Sequence, residues 1–138
     1  MVDIKNIANE LTKKSEDNSD YIKFEVGVIP GEVEVVQILV EDREELPIFI
    51  SNTDGEILCM SYLFKAEELK SDVTAEIDSA MLSMNIAMPL SSFGKIDGQY
   101  VVFGSLSAKS DIDTLVHEIE ILSDNTLEAI DAMKDYLK

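Results

Sequence analysis

Basic residues are scarce in this chain of 138: 11 lysines and arginines stand against 28 aspartates and glutamates, a formal net charge of −17. Binding to nucleic acid needs clustered Lys and Arg against the phosphates, and an anionic bilayer surface makes a similar demand. Neither is expected as a partner. Long apolar runs are missing too. None approaches the roughly 18 residues that a membrane span requires, so direct membrane insertion is not expected. Cysteine is limited to Cys59, which rules out an internal disulfide and points to a reducing compartment. The first residues, from Met1 to Asn6, do not carry a basic stretch leading into an apolar one, so no secretory signal is read there. The expected location is the cytoplasm.

Histidine is equally limited, and this removes several chemistries. His117-Glu118 opens like the zinc-peptidase motif HExxH, but the second ligand position is Ile121 and His117 is the sole histidine. On a helical wheel His117 falls on the polar side, as a solvated residue. Cys59 sits in the apolar run Ile57-Leu-Cys-Met60, where a buried structural thiol is the plainer reading than a nucleophile. Ser91-Ser92 lacks the glycines of a nucleophile elbow, and no phosphate-cradling glycine loop occurs. Asp54-Gly55 and Asp97-Gly98 are turns, because neither continues into the alternating oxygen ligands of a calcium loop. No catalytic residue, metal ligand or cofactor is therefore expected.

What the chain does have is 46% hydrophobic residues, enough for one ordinary core at this length. Ile4, Ile7, Ala8 and Leu11 predict a helix at about 3–15. Ile22, Phe24, Val26 and Val28 alternate as a half-buried strand, and Pro30-Gly31 is a turn. A β-rich run follows at 32–40. Residues 48–50 and 57–64 flank a turn at 52–55 and form a hairpin. Val73, Ile77, Ala80, Met81 and Met84 predict a second helix over 72–86. A strand pair at about 88–93 and 99–106 brackets Asp97-Gly98. The last helix starts after Ser110 as N-cap, with an apolar stripe of Ile112, Leu115, Val116, Ile119, Leu122, Ile130, Met133 and Leu137.

The order is α-β-β-β-β-α-β-β-α in a single α+β domain spanning 1–138, with a mainly antiparallel sheet and helices on one face. The expected core comprises Ile22, Phe24, Val26, Val28, Val101, Phe103, Ile112, Leu115, Ile119, Leu122 and Ile130.

The acid is unevenly placed. Residues 32–45 hold 6 acids and 1 base, and residues 111–138 hold 8 and 2, so these two segments carry −5 and −6 of the total. On the last helix Glu120, Asp124, Glu128, Asp131 and Asp135 share the polar side at spacings of three or four, where like charges repel by a few tenths of a kcal/mol per pair. Ile121 stands opposite the apolar stripe. Together these six residues are the candidate partner-binding surface, suited to a basic segment. Solubility alone is the competing reading of the charge. Met81, Met84 and Met88 offer an adaptable groove or, alternatively, plain core.

Three segments carry a resemblance: Met88-Pro-Leu-Ser-Ser-Phe93, Val102-Phe-Gly-Ser-Leu-Ser107 and Val116-His-Glu-Ile-Glu-Ile-Leu-Ser-Asp-Asn125. They resemble the YjfI-like family of small acidic bacterial proteins of unknown function, over about 86–137. The resemblance brings no catalytic residues. It implies a supporting role beside membrane-stress proteins of the phage-shock-protein-A type, and hence a link to envelope stress. The element order also resembles the secretion-chaperone fold, in which small acidic dimers hold extended segments of other proteins. That likeness implies a non-enzymatic, homodimeric, chaperone-like module with a protein partner. The alternative is a small enzyme, or accessory subunit, acting on a cationic metabolite such as a polyamine. Because no ligand set is complete enough for a structural metal, EDTA should leave the melting temperature unchanged; a large drop would reopen the acidic turns as cation sites.

Overall fold

The computed structural model describes residues 3–17, 23–53 and 55–138. Its elements are α1 (Ile4–Asp17), β1 (Phe24–Ile29), β2 (Val35–Val40), β3 (Ile48–Thr53), β4 (Glu56–Lys65), α2 (Thr74–Met84), β5 (Ser92–Ile96), β6 (Gln99–Ser107) and α3 (Ile112–Met133), with short 3-10 turns at Ala66–Glu68 and Lys134–Tyr136. The strands form one sheet in the order β1-β2-β3-β4-β6-β5, and every pairing is antiparallel. The expected element order and α+β class are those observed.

Alternation along the strands sets two faces. Phe24, Val36, Ile38, Val40, Ile48, Ile50, Ile57, Cys59, Tyr100 and Val102 point into one buried cluster with residues of all three helices. α3 packs on β4 and β6, and α1 packs on β1, β2 and α3. Burying a Leu or Ile side chain fully stabilises by roughly 1.5–3 kcal/mol, and α3 alone buries Leu115, Ile119 and Leu122 completely. α3 starts at Asp111, whose carboxylate accepts from Thr114 N at 2.8 Å. The cap is thus one residue later than the expected Ser110. That hydrogen bond holds the Asp111 carboxyl below its ordinary range.

Several core expectations need correction. Ile22 lies outside the described residues, and so does Asp54 of the expected 52–55 turn. Val26 is only partly buried and Val28 is exposed, on a strand that lies at the edge of the sheet. On β6 the phase is reversed: Tyr100 and Val102 face the helices, while Val101 and Phe103 face the opposite side. Alternation in a strand rich in apolar residues does not say which set faces in. Val101 is nevertheless buried, because its side chain and the Phe103 ring close over Gly94 on β5. On α3, Ile130 is half-buried outside the core cluster, and Ala129 and Met133 take the inward positions. The expected strand at 88–93 begins at Ser92 instead, since residues 85–91 form a loop.

Ile119→Ala should cost about 2–5 kcal/mol in urea denaturation, whereas Phe103→Ala, on the uncovered side, should cost clearly less. Equal losses at the two sites would mean that the two faces are wrongly assigned.

Candidate functional site

α2 is short and buries only Ile77 and Met81. Its neighbour Leu82 has nowhere to go and stands 71% exposed. Past the helix end, Ile86 is 91% and Leu90 56% exposed, with Met84 less so. An exposed apolar side chain is ordinary when isolated, but a contiguous group marks a contact surface.

Leu82 and Met84 line two hollows that share the Phe93 ring, and Ile86 and Leu90 flank the Ala87-Met88-Pro89 stretch that lines the second. One, of about 220 Å³, lies between α2 and β5 and is lined by Asp78, Met81, Leu82, Asn85, Phe93, Gly94, Lys95 and Tyr100. The other, of about 310 Å³, lies between the 85–91 loop and α3, among Met84, Met88, Pro89, Asn125, Glu128 and Ala129. The methionine groove expected around α2 is thus partly present: Met81 belongs to the core and lines the first hollow, while Met84 and Met88 line the second.

Buried polar groups hold the loop in place. Asn125 Nδ2 donates to Pro89 O at 2.9 Å and to Ser91 Oγ at 3.0 Å. Asn85 Oδ1 accepts from Phe93 N at 2.6 Å. Between these anchors Leu90 adopts φ +61°, the left-handed region that a leucine rarely enters. The clamp therefore displays Leu90 outward at a backbone cost. At the other end of the groove, Tyr100 Oη donates to Asp78 Oδ1, and Lys95 Nζ lies 3.2 Å from Asp78 Oδ2 and 4.8 Å from the centre of the Tyr100 ring. Burial, then the Asp78 carboxylate, push the Tyr100 hydroxyl above its ordinary range.

The six residues expected to bind a partner are not equivalent. Asp124 is half-buried and paired with Arg43 at 2.7 Å, and Asp131 lies 3.2 Å from Lys134. Glu120 and Ile121 are half-buried. Glu128 and Asp135 are exposed, and Glu128 alone among the six lines the apolar hollow. Arg43 is the one base of the acidic 32–45 segment. Its pairing to Asp124, and its bond to Ser123 Oγ at 3.0 Å, bring the two acid-rich segments together.

One carboxylate escaped the sequence reading. Glu118 is only 2% exposed, and Oε1 has no hydrogen-bond partner among the described residues. It lies over Gly104: a Cβ there would fall 1.8 Å from Oε1 and 3.2 Å from Leu90 O. Glu118 could have been found in the sequence, since it sits three residues after Leu115 and four before Leu122, inside the apolar stripe. Burial raises its pKa, and the nearby His117 acts weakly the other way. Burial also pushes the Cys59 thiol far up, with the Glu118 charge adding to it. Cys59 is therefore held as a thiol and is no nucleophile at neutral pH.

A family model described as "Uncharacterized protein conserved in bacteria (DUF2170)" matches residues 1–137. The chain is 28% identical over 134 residues to "Uncharacterized protein YjfI" of Escherichia coli K12, covering 94% of this chain and 93% of that one. The protein of the same description from Escherichia coli O157:H7 matches equally. Among solved structures, a chain of the heterodimeric ExoU–SpcU complex from the type III secretion system of Pseudomonas aeruginosa superposes with a TM-score of 0.55. That match covers 94% of this chain and 96% of that chain at 13% identity, so it establishes the fold alone. The expected secretion-chaperone-like architecture is the one observed. No helix among the described residues is long and apolar enough to cross a membrane.

A carboxyl whose folded pKa is raised carries no penalty below its unfolded pKa and loses stability as pH rises through the folded one. Glu118→Gln should therefore melt higher than the parent at pH 7, with the gap closing as pH falls below the ordinary glutamate range. A variant that melts lower at pH 7 would mean that the charged carboxylate is favoured there.

Proposed function

The chain belongs to the DUF2170 family of bacterial proteins, and from that premise we propose that it is a non-enzymatic, chaperone-like, homodimeric module of the cytoplasm that binds another protein. Its partner contributes an amphipathic segment whose apolar side enters the groove between α2, the 85–91 loop and α3, and whose basic residues meet Glu128. The observation that carries this reading is the exposure of Leu82 and Met84 at hollows lined by methionine and phenylalanine, with Ile86 and Leu90 exposed on the loop that lines the second. Unbranched methionine adapts to varied side chains, and a groove of this kind accepts anchors at helical or extended spacing.

Charge supports the same choice of partner. The groove is bordered by Glu128, and the neighbouring Asp124 is drawn to the turn that holds Glu41, Asp42, Glu44 and Glu45. Exposed carboxylates at the edge of an interface steer encounter more than they hold the complex. In this reading Glu128, at the border of the groove, steers the encounter, whereas Asp124 and Asp131 are already engaged by Arg43 and Lys134. The architecture of the secretion-complex neighbour is compatible with this role.

A photo-crosslinking amino acid at position 86 should trap the partner in host extract, and the same group at Lys70 should not. With the trapped protein purified, Leu82→Asp together with Leu90→Asp should weaken binding at least about tenfold, near 1.4 kcal/mol, without altering circular dichroism. Glu128→Gln should slow association and flatten its dependence on salt. Unchanged affinity in the double variant would remove the groove from the binding surface.

A further inference from the structure

The sheet ends in two edges, and the sequence treats them differently. At the β5 edge, the two-residue turn Asp97-Gly98 sets the phase, so that Phe93 and Lys95 turn their backbone groups outward. Phe93 N is already held by Asn85 Oδ1, and Lys95 places a charge on a strand of only five residues. A short edge bearing a lysine resists further pairing.

β1 is guarded only at its first residue. Glu41 N donates to Lys23 O at 2.9 Å, which fixes the phase: Glu25, Gly27 and Ile29 turn their backbone groups toward β2, and Phe24, Val26 and Val28 turn theirs outward. Ser15 Oγ donates to Phe24 O at 2.5 Å and accepts from Phe24 N at 3.2 Å. No such bond reaches Val26 or Val28 among the described residues. The strand contains no Lys and no Pro, and Val28, Ile29 and Val33 are exposed beside it. An unguarded apolar edge is a template for another strand.

We propose that two copies of this chain pair antiparallel through their β1 edges, about a two-fold axis at Gly27, to make one continuous sheet. The proposal rests on the homodimeric reading above and names its interface. Charge selects a second copy as the occupant. In a molecule of net −17 this edge carries only Glu25, with Lys23 just before it, so two copies meet here with little repulsion. The symmetry also avoids like charges. Val26 faces Val28 of the second copy and exchanges both hydrogen bonds with it. Glu25 faces Ile29 rather than its own counterpart, and Lys23 falls toward Gly31, past the end of the strand. Gly27 meets itself in a non-hydrogen-bonded pair, where Cα atoms approach to about 4.5 Å.

That last contact gives a test of register. A disulfide needs Cα atoms roughly 4.4–6.8 Å apart, a Cβ at Gly27 meets nothing within 4 Å, and Cys59 is buried and out of competition. Under mild oxidation the full chain bearing Gly27→Cys should become a disulfide-linked dimer, and Ile29→Cys should not. By sedimentation, the parent should be dimeric at high micromolar concentration and Val28→Pro monomeric with unchanged circular dichroism, because proline deletes only an outward N–H. Should Val28→Pro fail to fold, Val28→Lys serves in its place. A monomeric parent would overturn both the homodimeric reading and this interface. A dimeric parent whose Val28 variants stay dimeric, with no Gly27→Cys crosslink, would overturn this interface alone.

Discussion

Leu115, Ile119 and Leu122 of α3 are wholly buried in one cluster with Ile57, Cys59 and Val102 of the central strands, and the approach this requires leaves no room for a side chain at Gly104 beneath Glu118. A methyl group there would occupy the place of a carboxylate oxygen. The Glu118 carboxyl would have to leave its buried place, and Leu90 O, 3.2 Å from that methyl position, would have to give way by a few tenths of an ångström. The same approach carries Asn125 to Pro89 and Ser91, so the geometry of the 85–91 loop depends on it too.

From that contact the surface features follow in turn. α3 lies across β4 and β6, which leaves α2 to cover the β5 side with only two buried residues. A helix that short cannot bury Leu82 as well as Met81, and the loop after it is held by its polar atoms rather than by its apolar ones. Ile86 and Leu90 are therefore shown to solvent by a clamp whose Asn125 and Ser91 are buried. A rigid apolar display loses little conformational freedom on binding, which is what a docking surface needs.

Electrostatics act on a second level. Arg43 joins the acidic turn after β2 to the acidic side of α3, so two concentrations of charge that are far apart in sequence form one region. Exposed ion pairs contribute little to stability; this one matters for where the field is placed. The β1 edge lies within residues 1–31, which hold 6 acids and 4 bases and so carry only −2 of the total. The division between an acidic, groove-bearing part and a nearly neutral strand edge lets one small molecule present two different kinds of surface.

The sequence by itself determined the class and order of elements, because periods of two and of about 3.6 residues are local and strong in β1, β2, α1 and α3. It also determined the acidic character, the absence of familiar catalytic spacing and the inward stripe of α3 from Ile112 to Leu122. The choice of face on β6 was not legible, since Val101, Val102 and Phe103 are all apolar and only packing separates them. Nor was the burial of Glu118, although its position inside the stripe held the clue, nor the engagement of Asp124 by an arginine 81 residues away. The candidate site was legible only as methionines near α2 and as Glu128 on a polar stripe. That Met84, Met88 and Glu128 border one hollow, and that Leu82, Ile86 and Leu90 are exposed on α2 and the loop after it, was decided by the tertiary structure alone. Periodicity records which side chains of one element point together, whereas exposure depends on how much surface the other elements have left to cover them.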